Sequence, residues 1–317
     1  MRNLSMDKQS VGLDIAKLNF VAAINVKGKC KAKSFKNNDK GFEMLMTWLR
    51  TFPAGKYHFC MEATGKYGNA LALFLYNNKH LVSVVNPAKI KFFMQSCLSR
   101  NKTDPIDAKF IRHYCEFFSL LPWQPLSPER QTLQVLIKRI DELNKFLLQD
   151  KNRLELVDSA AEESINEHIT FLQSRIKEIE GKIKALINSH PTLKEESKLL
   201  RSIPGVGPKT TRKTLAFLSH IKDFKKANQV AAFIGISPQR AQSGTSLNRG
   251  HISKTGDAEL RKMLYMPALV AIQHQPSIKI FYEKLLAKGK PHKKNFPLYD
   301  IGDDFDFYGV LKSQKPF

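Results

Sequence analysis

The strongest constraint on how this chain folds is a heptad repeat in its middle, between about residues 127 and 195. Apolar residues recur there at alternating spacings of four and three, and charged residues fill the other faces of the predicted helices. The second run of the repeat is unbroken and comprises Ile165, Ile169, Leu172, Ile176, Ile179, Ile183 and Leu186. A break near residue 158 permits an antiparallel hairpin within one chain. We expect a coiled coil that also mediates self-association.

On either side of this repeat the pattern changes. Before it, about residues 8 to 121 alternate between strand-like and helix-like runs, which predicts an α/β domain with a mixed sheet. After it, from about residue 197, the pattern is basic and helical. The predicted divisions are an α/β domain (1–125), the coiled coil (126–195), a mostly α-helical domain (196–295) and a C-terminal tail (296–317).

Basic residues dominate the composition, and their excess restricts the class of partner. Lysine and arginine exceed aspartate and glutamate by 51 − 29 = 22 charges, so a polyanion, most simply nucleic acid, is the expected partner. No apolar run approaches the roughly 20 residues of a membrane-spanning helix, and the N-terminal MRNLSMDKQS lacks the apolar core of a secretory signal. The cysteines (Cys30, Cys60, Cys97 and Cys115) have no C-x-x-C spacing, which predicts reduced, mostly buried thiols and therefore a cytoplasmic protein. No membrane partner is expected.

Acidic residues of the first domain stand where a ligand site is expected. Asp14 lies inside the apolar run VGLDIAK, where an unpaired buried carboxylate is costly. Glu62 ends a predicted strand before a glycine-bearing turn, the place where open α/β sheets bind ligands. Asp104 and Asp107 begin a predicted helix in KTDPIDAKFI, and helix capping alone would explain them. As a set, these acids also supply the oxygen ligands that a hard divalent cation prefers.

The stretches VGLDIAK, MEATGKYG and KTDPIDAKFI, in this order and spacing, resemble the DEDD transposases, the Piv-like or "IS one-ten" family of insertion-sequence transposases. The resemblance covers roughly residues 8 to 295. It implies a RuvC-like domain with the RNase H fold over residues 1–125. The tetrad that it implies for binding Mg²⁺ or Mn²⁺ comprises Asp14, Glu62, Asp104 and Asp107. Two such ions would stabilise the attacking and leaving oxygens of a phosphodiester displacement.

A glycine-rich turn in the third part is a candidate phosphate contact. SIPGVGPKT resembles a helix-hairpin-helix turn, in which Gly205 and Gly207 would let backbone N–H groups approach a phosphate. Lys209 would add positive charge. A Gly/Pro turn that only connects two helices is the alternative.

A serine-rich stretch further along, SPQRAQSGTSLNRGHISKTGDAELRKML, also fits the resemblance. The family has a serine-glycine stretch followed by G-x-I-x-K-x-G-x-x-x-L-R, here Gly250, Ile252, Lys254, Gly256, Leu260 and Arg261. By that match Ser243, in a flexible Q-S-G context, would be the nucleophile that links covalently to DNA, and Ser246 is the second candidate. The residues expected to hold the scissile phosphate are Arg240, Arg249 and Lys254.

The expected function is that of a DNA recombinase that moves its own insertion element. By resemblance it is guided by an element-encoded RNA, and a composite site, with the serine from one subunit and the tetrad from another, would require a dimer or tetramer. The first alternative is a metal-dependent, structure-specific junction nuclease in which Ser243 is incidental. The second is a non-catalytic binding protein whose acids cap helices.

One segment departs from the family pattern. After GKPHKK the chain reads NFPLYDIGDDFDFY, which crowds Asp300, Asp303, Asp304 and Asp306 into an otherwise basic domain. Such an acidic cluster is locally inconsistent with its surroundings. An altered reading frame or a diverged tail, rather than a second metal site, is the expected explanation, and it leaves the packing of the C-terminus an open question.

Overall fold

A computed structural model describes residues 8–52, 56–63, 65–97, 104–156, 158–218, 221, 224–243, 247–253, 255–287 and 306–317. The chain divides into two compact units, Met1–Pro125 and Leu126–Phe317. Within the described ranges, no helix combines the length and the apolar character needed to cross a membrane.

The first unit is built on a five-stranded sheet with the order β3-β2-β1-β4-β5. The strands are β1 (Lys8–Ile15), β2 (Asn19–Val26), β3 (Lys29–Lys36), β4 (Lys56–Glu62) and β5 (Leu81–Val85). β1, β2 and β3 form an antiparallel meander, whereas β4 runs parallel to both β1 and β5. The predicted α/β layer with a mixed sheet is therefore confirmed.

Side-chain alternation in β1 separates the two faces of this sheet. Val11, Leu13 and Ile15 point into one apolar core, so Gly12 and Asp14 lie on the opposite face. The meander is closed by a two-residue turn in which Lys27 and Gly28 both have positive φ angles, 50° and 82°. A turn of that kind matches the right-handed twist of a tight hairpin.

Helices cover both faces of the sheet. They are α1 (Asp39–Leu49), α2 (Asn69–Asn77), α3 (Pro87–Ser96) and α4 (Asp104–Phe117). α1 and α2 pack on the face of Leu13 through buried residues that include Phe42, Leu45 and Leu71. α3 and α4 pack on the opposite face around Cys60. Asp14 therefore belongs to the face that α4 covers.

The second unit is mostly helical. Its elements are α5 (Pro128–Leu154), α6 (Ser159–Ser189), α7 (Pro191–Arg201), α8 (Pro208–Phe217), α9 (Ala227–Ile234), β6 (Pro238–Ser243), β7 (Leu247–Ile252), α10 (Ala258–His274), α11 (Pro276–Ala287) and α12 (Asp306–Ser313). The predicted helical character is confirmed, but the antiparallel pair β6–β7 was not expected. The sequence of this pair is polar, so it shows little of the apolar alternation by which strands are recognised.

The heptad repeat forms α5 and α6, which pack against each other within the chain. Leu133 and Leu143 of α5 share a buried cluster with Leu172 and Ile183 of α6. Near the connection, the Asp150 carboxylate lies 2.7 Å from Nδ1 of His168, which fixes an antiparallel arrangement. The intrachain hairpin, the alternative left open by the sequence, is thus the arrangement observed. Self-association stays a prediction.

The end of the tail packs into the second unit in spite of the acidic segment before it. Phe307, Val310 and Leu311 of α12 lie in the same buried cluster as α7 and α9. The Tyr308 hydroxyl donates to the Phe224 carbonyl oxygen at 3.0 Å. Asp300, Asp303 and Asp304 lie outside the described residues. Residues 306–317 are therefore packed into the core of the second unit.

Candidate active site

The carboxyl ends of two neighbouring parallel strands carry Asp14 and Glu62. β1 and β4 are paired in parallel with Leu13 opposite Met61, so the next residues along, Asp14 and Glu62, are neighbours across the ladder. Adjacent strands are about 4.8 Å apart. Both carboxylates are half-buried, which leaves them within reach of a ligand at this end of the sheet.

Gly12 brings α4 onto β1 directly below Asp14. A Cβ atom on residue 12 would lie 2.1 Å from the Ala108 carbonyl oxygen and 2.4 Å from the Arg112 backbone nitrogen. Since real side chains do not approach a backbone so closely, only glycine permits this contact. Nothing in the local sequence pattern indicates this role of Gly12, because the contact depends on how α4 packs on the sheet.

The direction of α4 places its first turn at the same end of the sheet. Cys115, near the end of α4, lies beside His58 of β4, with Sγ 3.4 Å from Nδ1, whereas the Ala108–Arg112 turn lies over Gly12. Hence α4 runs antiparallel to β1. Along β1, the distance from Gly12 to Asp14 is about 6.6 Å. Along α4, the four residues that lead back from Ala108 to Asp104 span about 6 Å. The first turn of α4, which carries Asp104 and Asp107, therefore lies at about the level of Asp14.

Three separate segments therefore deliver acidic residues to one end of the sheet. Asp104 is the first residue of α4 and is exposed, and Asp107 lies in the first turn and is half-buried. Among the described residues, no three His, Cys, Asp or Glu side chains converge tightly enough to hold a metal ion. The donor chemistry nevertheless fits a hard divalent cation, because every candidate ligand in this set is a carboxylate oxygen.

A polar network that the sequence analysis missed links α4 to the strands beneath these acids. Cys60 and Cys115 are buried in one cluster inside the first unit, and the Cys115 thiol also lies beside His58. His58 continues the network, since its Nε2 lies 2.9 Å from the Ser83 hydroxyl. The hydrogen bond from Cys60, helped by one from His58, lowers the pKa of Cys115 to about 5. Hydrogen bonding to Cys115 and burial raise the pKa of Cys60.

The prediction that the cysteines are mostly buried holds only for this pair. Cys30 and Cys97 are exposed, and all four cysteines are free thiols. Nothing in the spacing of Cys60 and Cys115 indicates that they meet, because their contact depends on how α4 docks on β4. The contacts of Cys115 and His58 hold α4 on the sheet at a point at least one helical turn away from the acids.

Ser243 ends strand β6 in the second unit. It pairs with Leu247 of β7, while Arg240 pairs with Gly250 and Ala241 with Arg249. The Q-S-G context was expected to be a flexible loop, but Ser243 belongs to an ordered ladder. Ser246 and Lys254 lie outside the described residues.

The glycine and arginine of the serine-bearing motif have a packing role. A Cβ on Gly256 would lie 2.5 Å from the Phe233 carbonyl oxygen and 2.6 Å from the backbone nitrogen of Gly235, which itself has φ +82°. Nη1 of Arg261 donates to the Ile234 carbonyl oxygen at 2.8 Å. These contacts join the end of α9 to the start of α10. The β6–β7 hairpin is the segment of chain that connects these two helix ends.

The turn between α7 and α8 holds three candidate phosphate contacts, and the structure explains one of them by packing and leaves the other two accessible. Gly205 has φ +85°, and a Cβ there would lie 2.8 Å from the Pro267 carbonyl oxygen of α10. This packing accounts for Gly205 without a phosphate. Around Gly207, by contrast, a Cβ would meet no described atom within 4 Å, and Lys209 is exposed. Gly207 and Lys209 remain open to an anion at the start of α8.

Comparison with known proteins matches both the acid-bearing first unit and the serine-bearing part of the second unit to transposase families. Residues 11–157 match a DEDD-type family model described as "Transposase", and residues 197–283 match one described as "Transposase IS116/IS110/IS902 family". The chain is 31% identical to a pilin gene-inverting protein of Moraxella bovis over 98% of each chain. It is 28% identical to the transposase for insertion sequence element IS1111A of Coxiella burnetii, over 60% of this chain and 59% of that protein.

Proposed function

The chain belongs to the IS116/IS110/IS902 family of transposases, and on that premise we propose that it cuts and rejoins DNA through a covalent link to Ser243. It is a DNA transposase or recombinase. DEDD transposases are generally dependent on a divalent metal. The observation that supports the proposal is the arrival of acidic residues from β1, β4 and α4 at one end of a sheet.

In the proposed site, Asp14 and Glu62 from the strand ends and Asp104 and Asp107 from α4 hold Mg²⁺ or Mn²⁺. When bound, the cation would stabilise negative charge on the phosphate oxygens during displacement. The polar network around Cys115 and the contact at Gly12 keep α4 in place, so that the helix and strand carboxylates stay at one end of the sheet.

Ser243 supplies the nucleophile in this proposal. Its Oγ forms a bond to the phosphorus of the scissile phosphodiester, loses its proton, and displaces a deoxyribose oxygen, which takes up a proton to become a free hydroxyl. Rejoining reverses these steps with the hydroxyl of another strand. The phosphoester bond is conserved throughout, so no external energy source is needed. Arg240 and Arg249, in the same hairpin, are proposed to hold the phosphate.

We further propose that an element-encoded RNA pairs with donor and target DNA, and that the site is completed between subunits. The formal charge of +22 suits binding of both nucleic acids. The apolar seam of α5 and α6 is occupied within the chain. A contact between copies would therefore use outward residues of that hairpin, such as Phe146 and Phe171, which are 47% and 57% exposed.

A second candidate function is site-specific inversion of a DNA segment. It is favoured by one observation, since the full-length similarity is to pilin gene-inverting proteins. Inversion and transposition share strand cleavage and rejoining but differ in the arrangement of the recombining sites. Plasmids that carry the element ends as inverted or as separated sites would distinguish them by the product formed.

Trapping the covalent intermediate tests the proposal. The wild-type protein is incubated with Mg²⁺, labelled element-end DNA and RNA transcribed from the DNA flanking the gene, then denatured, and protein carrying label is sought. We expect an adduct with the wild type and with Ser246→Ala, and none with Ser243→Ala, which should still bind both nucleic acids. An adduct retained by Ser243→Ala and lost in Ser246→Ala would move the nucleophile.

Other outcomes would support other functions. Efficient Mg²⁺-dependent nicking without an adduct in any variant would replace the proposal with a junction nuclease. Binding without any cleavage, with or without metal, would leave a non-catalytic nucleic-acid-binding protein. Omitting the RNA tests the guide separately, because an RNA-guided enzyme should then lose cleavage at the element end.

A further inference from the structure

The edge strand β3 carries an alternating row of lysines. Lys29, Lys31 and Lys33 follow one another at every second position, on the same face as the buried Phe35. Residues 15 to 38 contain six lysines and neither aspartate nor glutamate. The charges of this stretch of chain are therefore all positive, whereas an ordinary protein surface mixes both signs.

Aromatic rings underneath hold two of these lysines in place. Nζ of Lys31 lies 5.6 Å from the centroid of the Phe52 ring, and Nζ of Lys33 lies 5.7 Å from that of Phe35. Cation–π contacts of this kind orient an ammonium group without neutralising its charge. An ordered but uncompensated charge is suited to a polyanion, because less side-chain entropy is lost on binding.

Protection of the sheet edge is the simpler explanation of a lysine on β3, and it is insufficient here. Among the described residues β3 pairs with β2 only, and edge strands commonly carry lysine to prevent pairing with other chains. Three lysines in alternate positions, two of them placed over rings, form a regular track about 6.7 Å per step, close to twice the about 3.4 Å axial rise per phosphate of one DNA strand.

The sheet register connects this row to the acidic end of the sheet. Lys33 pairs with Ala22, and Ala22 pairs with Leu13, the residue before Asp14. Two strand spacings, about 10 Å, separate these positions. The row thus begins level with the proposed metal ligands, with its side chains on the Leu13 face of the sheet, opposite the face of Asp14. It runs away from the acids along the edge, so a nucleic acid on the row would reach them around the end of the sheet.

We propose that Lys29, Lys31 and Lys33 bind the phosphodiester backbone of a nucleic acid that enters or leaves the candidate active site along β3. This inference rests on the proposed function, and it assigns to β3 a non-specific backbone contact. DNA and RNA share that backbone, so the experiment has one arm for each.

The test compares two triple variants of equal charge. Lys29, Lys31 and Lys33 are changed together to glutamine, and the control variant carries Lys151→Gln, Lys177→Gln and Lys184→Gln on exposed positions of α5 and α6. The dissociation constant for a duplex DNA and for a structured RNA is measured by fluorescence anisotropy over a series of salt concentrations. Melting temperatures of both variants should equal that of the wild type.

Each phosphate contact contributes about 0.9 to the slope of log K against log salt for duplex DNA. We therefore expect the β3 variant to lower the magnitude of that slope by about 2 to 3, and the control to leave it unchanged. A change in one arm alone would identify the nucleic acid that lies on the row. Equal slopes for the β3 variant and the wild type in both arms, or an equal loss in the control, would overturn the inference while the covalent-adduct test still stands. A wild-type protein that binds neither nucleic acid would overturn this inference together with the proposed function.

Discussion

The acidic end of the first unit and the serine hairpin of the second are built differently. The acids lie on β1, β4 and α4, elements packed into a core that covers both faces of a five-stranded sheet. Ser243 lies at the end of a two-stranded ladder. Ligands of a metal ion must keep their relative positions closely, whereas a nucleophile that carries DNA must be reachable. The proposed chemistry assigns each role to the architecture suited to it.

Both regions nevertheless depend on a glycine where two backbones touch. Gly12 sets the distance between β1 and α4, and Gly256 sets the distance between α9 and α10. The difference lies in what each contact positions. At Gly12 the helix that carries two of the acids is itself in contact, whereas at Gly256 the contact fixes only the two ends from which the hairpin extends.

The largest expected effect comes from removing one carboxylate charge. Asp14→Asn should reduce strand cleavage at least about 100-fold, because loss of a metal ligand costs more than the 10–100-fold typical of residues that only support one. The melting temperature should stay equal or rise, since mutual repulsion among the acids is relieved. Gel-based cleavage and calorimetry measure the two quantities.

Asp39→Asn is the matched control for Asp14→Asn. Asp39 is an exposed acid in the first turn of α1, and its loss should leave cleavage unchanged. If Asp14→Asn still forms the Ser243 adduct at the wild-type rate, the two regions act independently and the acids are not part of the reaction. A large loss of stability would instead favour a structural role for Asp14.

The next largest effect is expected from Ile183→Asp in the hairpin of the second unit. Ile183 is fully buried between α5 and α6, so an unpaired carboxylate there should destabilise the second unit by about 3–5 kcal/mol. Urea unfolding followed by fluorescence of Trp48 and Trp123, both in the first unit, should show that unit unchanged. Far-ultraviolet circular dichroism should show early loss of helix.

The outcome of Ile183→Asp also bears on self-association. If the seam were an interface between copies, the variant would be a folded monomer with normal helix content by light scattering and circular dichroism. The observed hairpin predicts partial unfolding instead. Phe146→Ser with Phe171→Ser, on the exposed side of the same hairpin, is the variant expected to weaken association without unfolding the chain.

Gly12→Ala should have a smaller but still substantial effect on the first unit. Its Cβ would lie 2.1 Å from the Ala108 carbonyl oxygen, so α4 must move, at a cost of about 1–3 kcal/mol or somewhat more. Because that movement displaces Asp104 and Asp107, cleavage should fall further than the loss of folded protein explains. The fluorescence-detected unfolding transition reports the stability, and cleavage per folded molecule reports the displacement.

Gly256→Ala makes the corresponding change in the second unit, with an expected cost of about 1–3 kcal/mol. In this variant the adduct yield should fall. Metal-dependent nicking, in which water takes the place of the serine at the acids of the first unit, should stay unchanged. Equal losses of adduct and nicking in Gly12→Ala and Gly256→Ala would show that the two regions cannot be separated. Wild-type stability in either variant would contradict the close contact on which the comparison depends.

The sequence predicted the strands of the first unit because apolar alternation in β1 and β2 and glycine at the β2–β3 turn are local signals. It also offered acidic candidates, because Glu62, Asp104 and Asp107 stand at the ends of predicted elements and Asp14 is a carboxylate inside an apolar strand. The family resemblance joined these four into a set, and their role as metal ligands stays a prediction. It did not reveal the role of Gly12 or the meeting of Cys60 with Cys115, because both depend on how α4 docks. The sequence also left open what covers the apolar seam of α6, because a heptad repeat can pack against a helix of its own chain or against a helix of another chain.

The smallest expected effect is a gain in stability. Gly181 lies within α6, is exposed, and a Cβ there would meet no described atom within 4 Å. Glycine inside a helix costs about 0.5–1 kcal/mol relative to alanine, so Gly181→Ala should stabilise the second unit by that amount in urea unfolding. The contrast with Gly12→Ala and Gly256→Ala would show that close contact, rather than glycine as such, fixes those two positions. Should Gly181→Ala instead lower adduct formation at unchanged helix content, a second molecule must approach α6 closely at residue 181, and the interface between copies would be sought there.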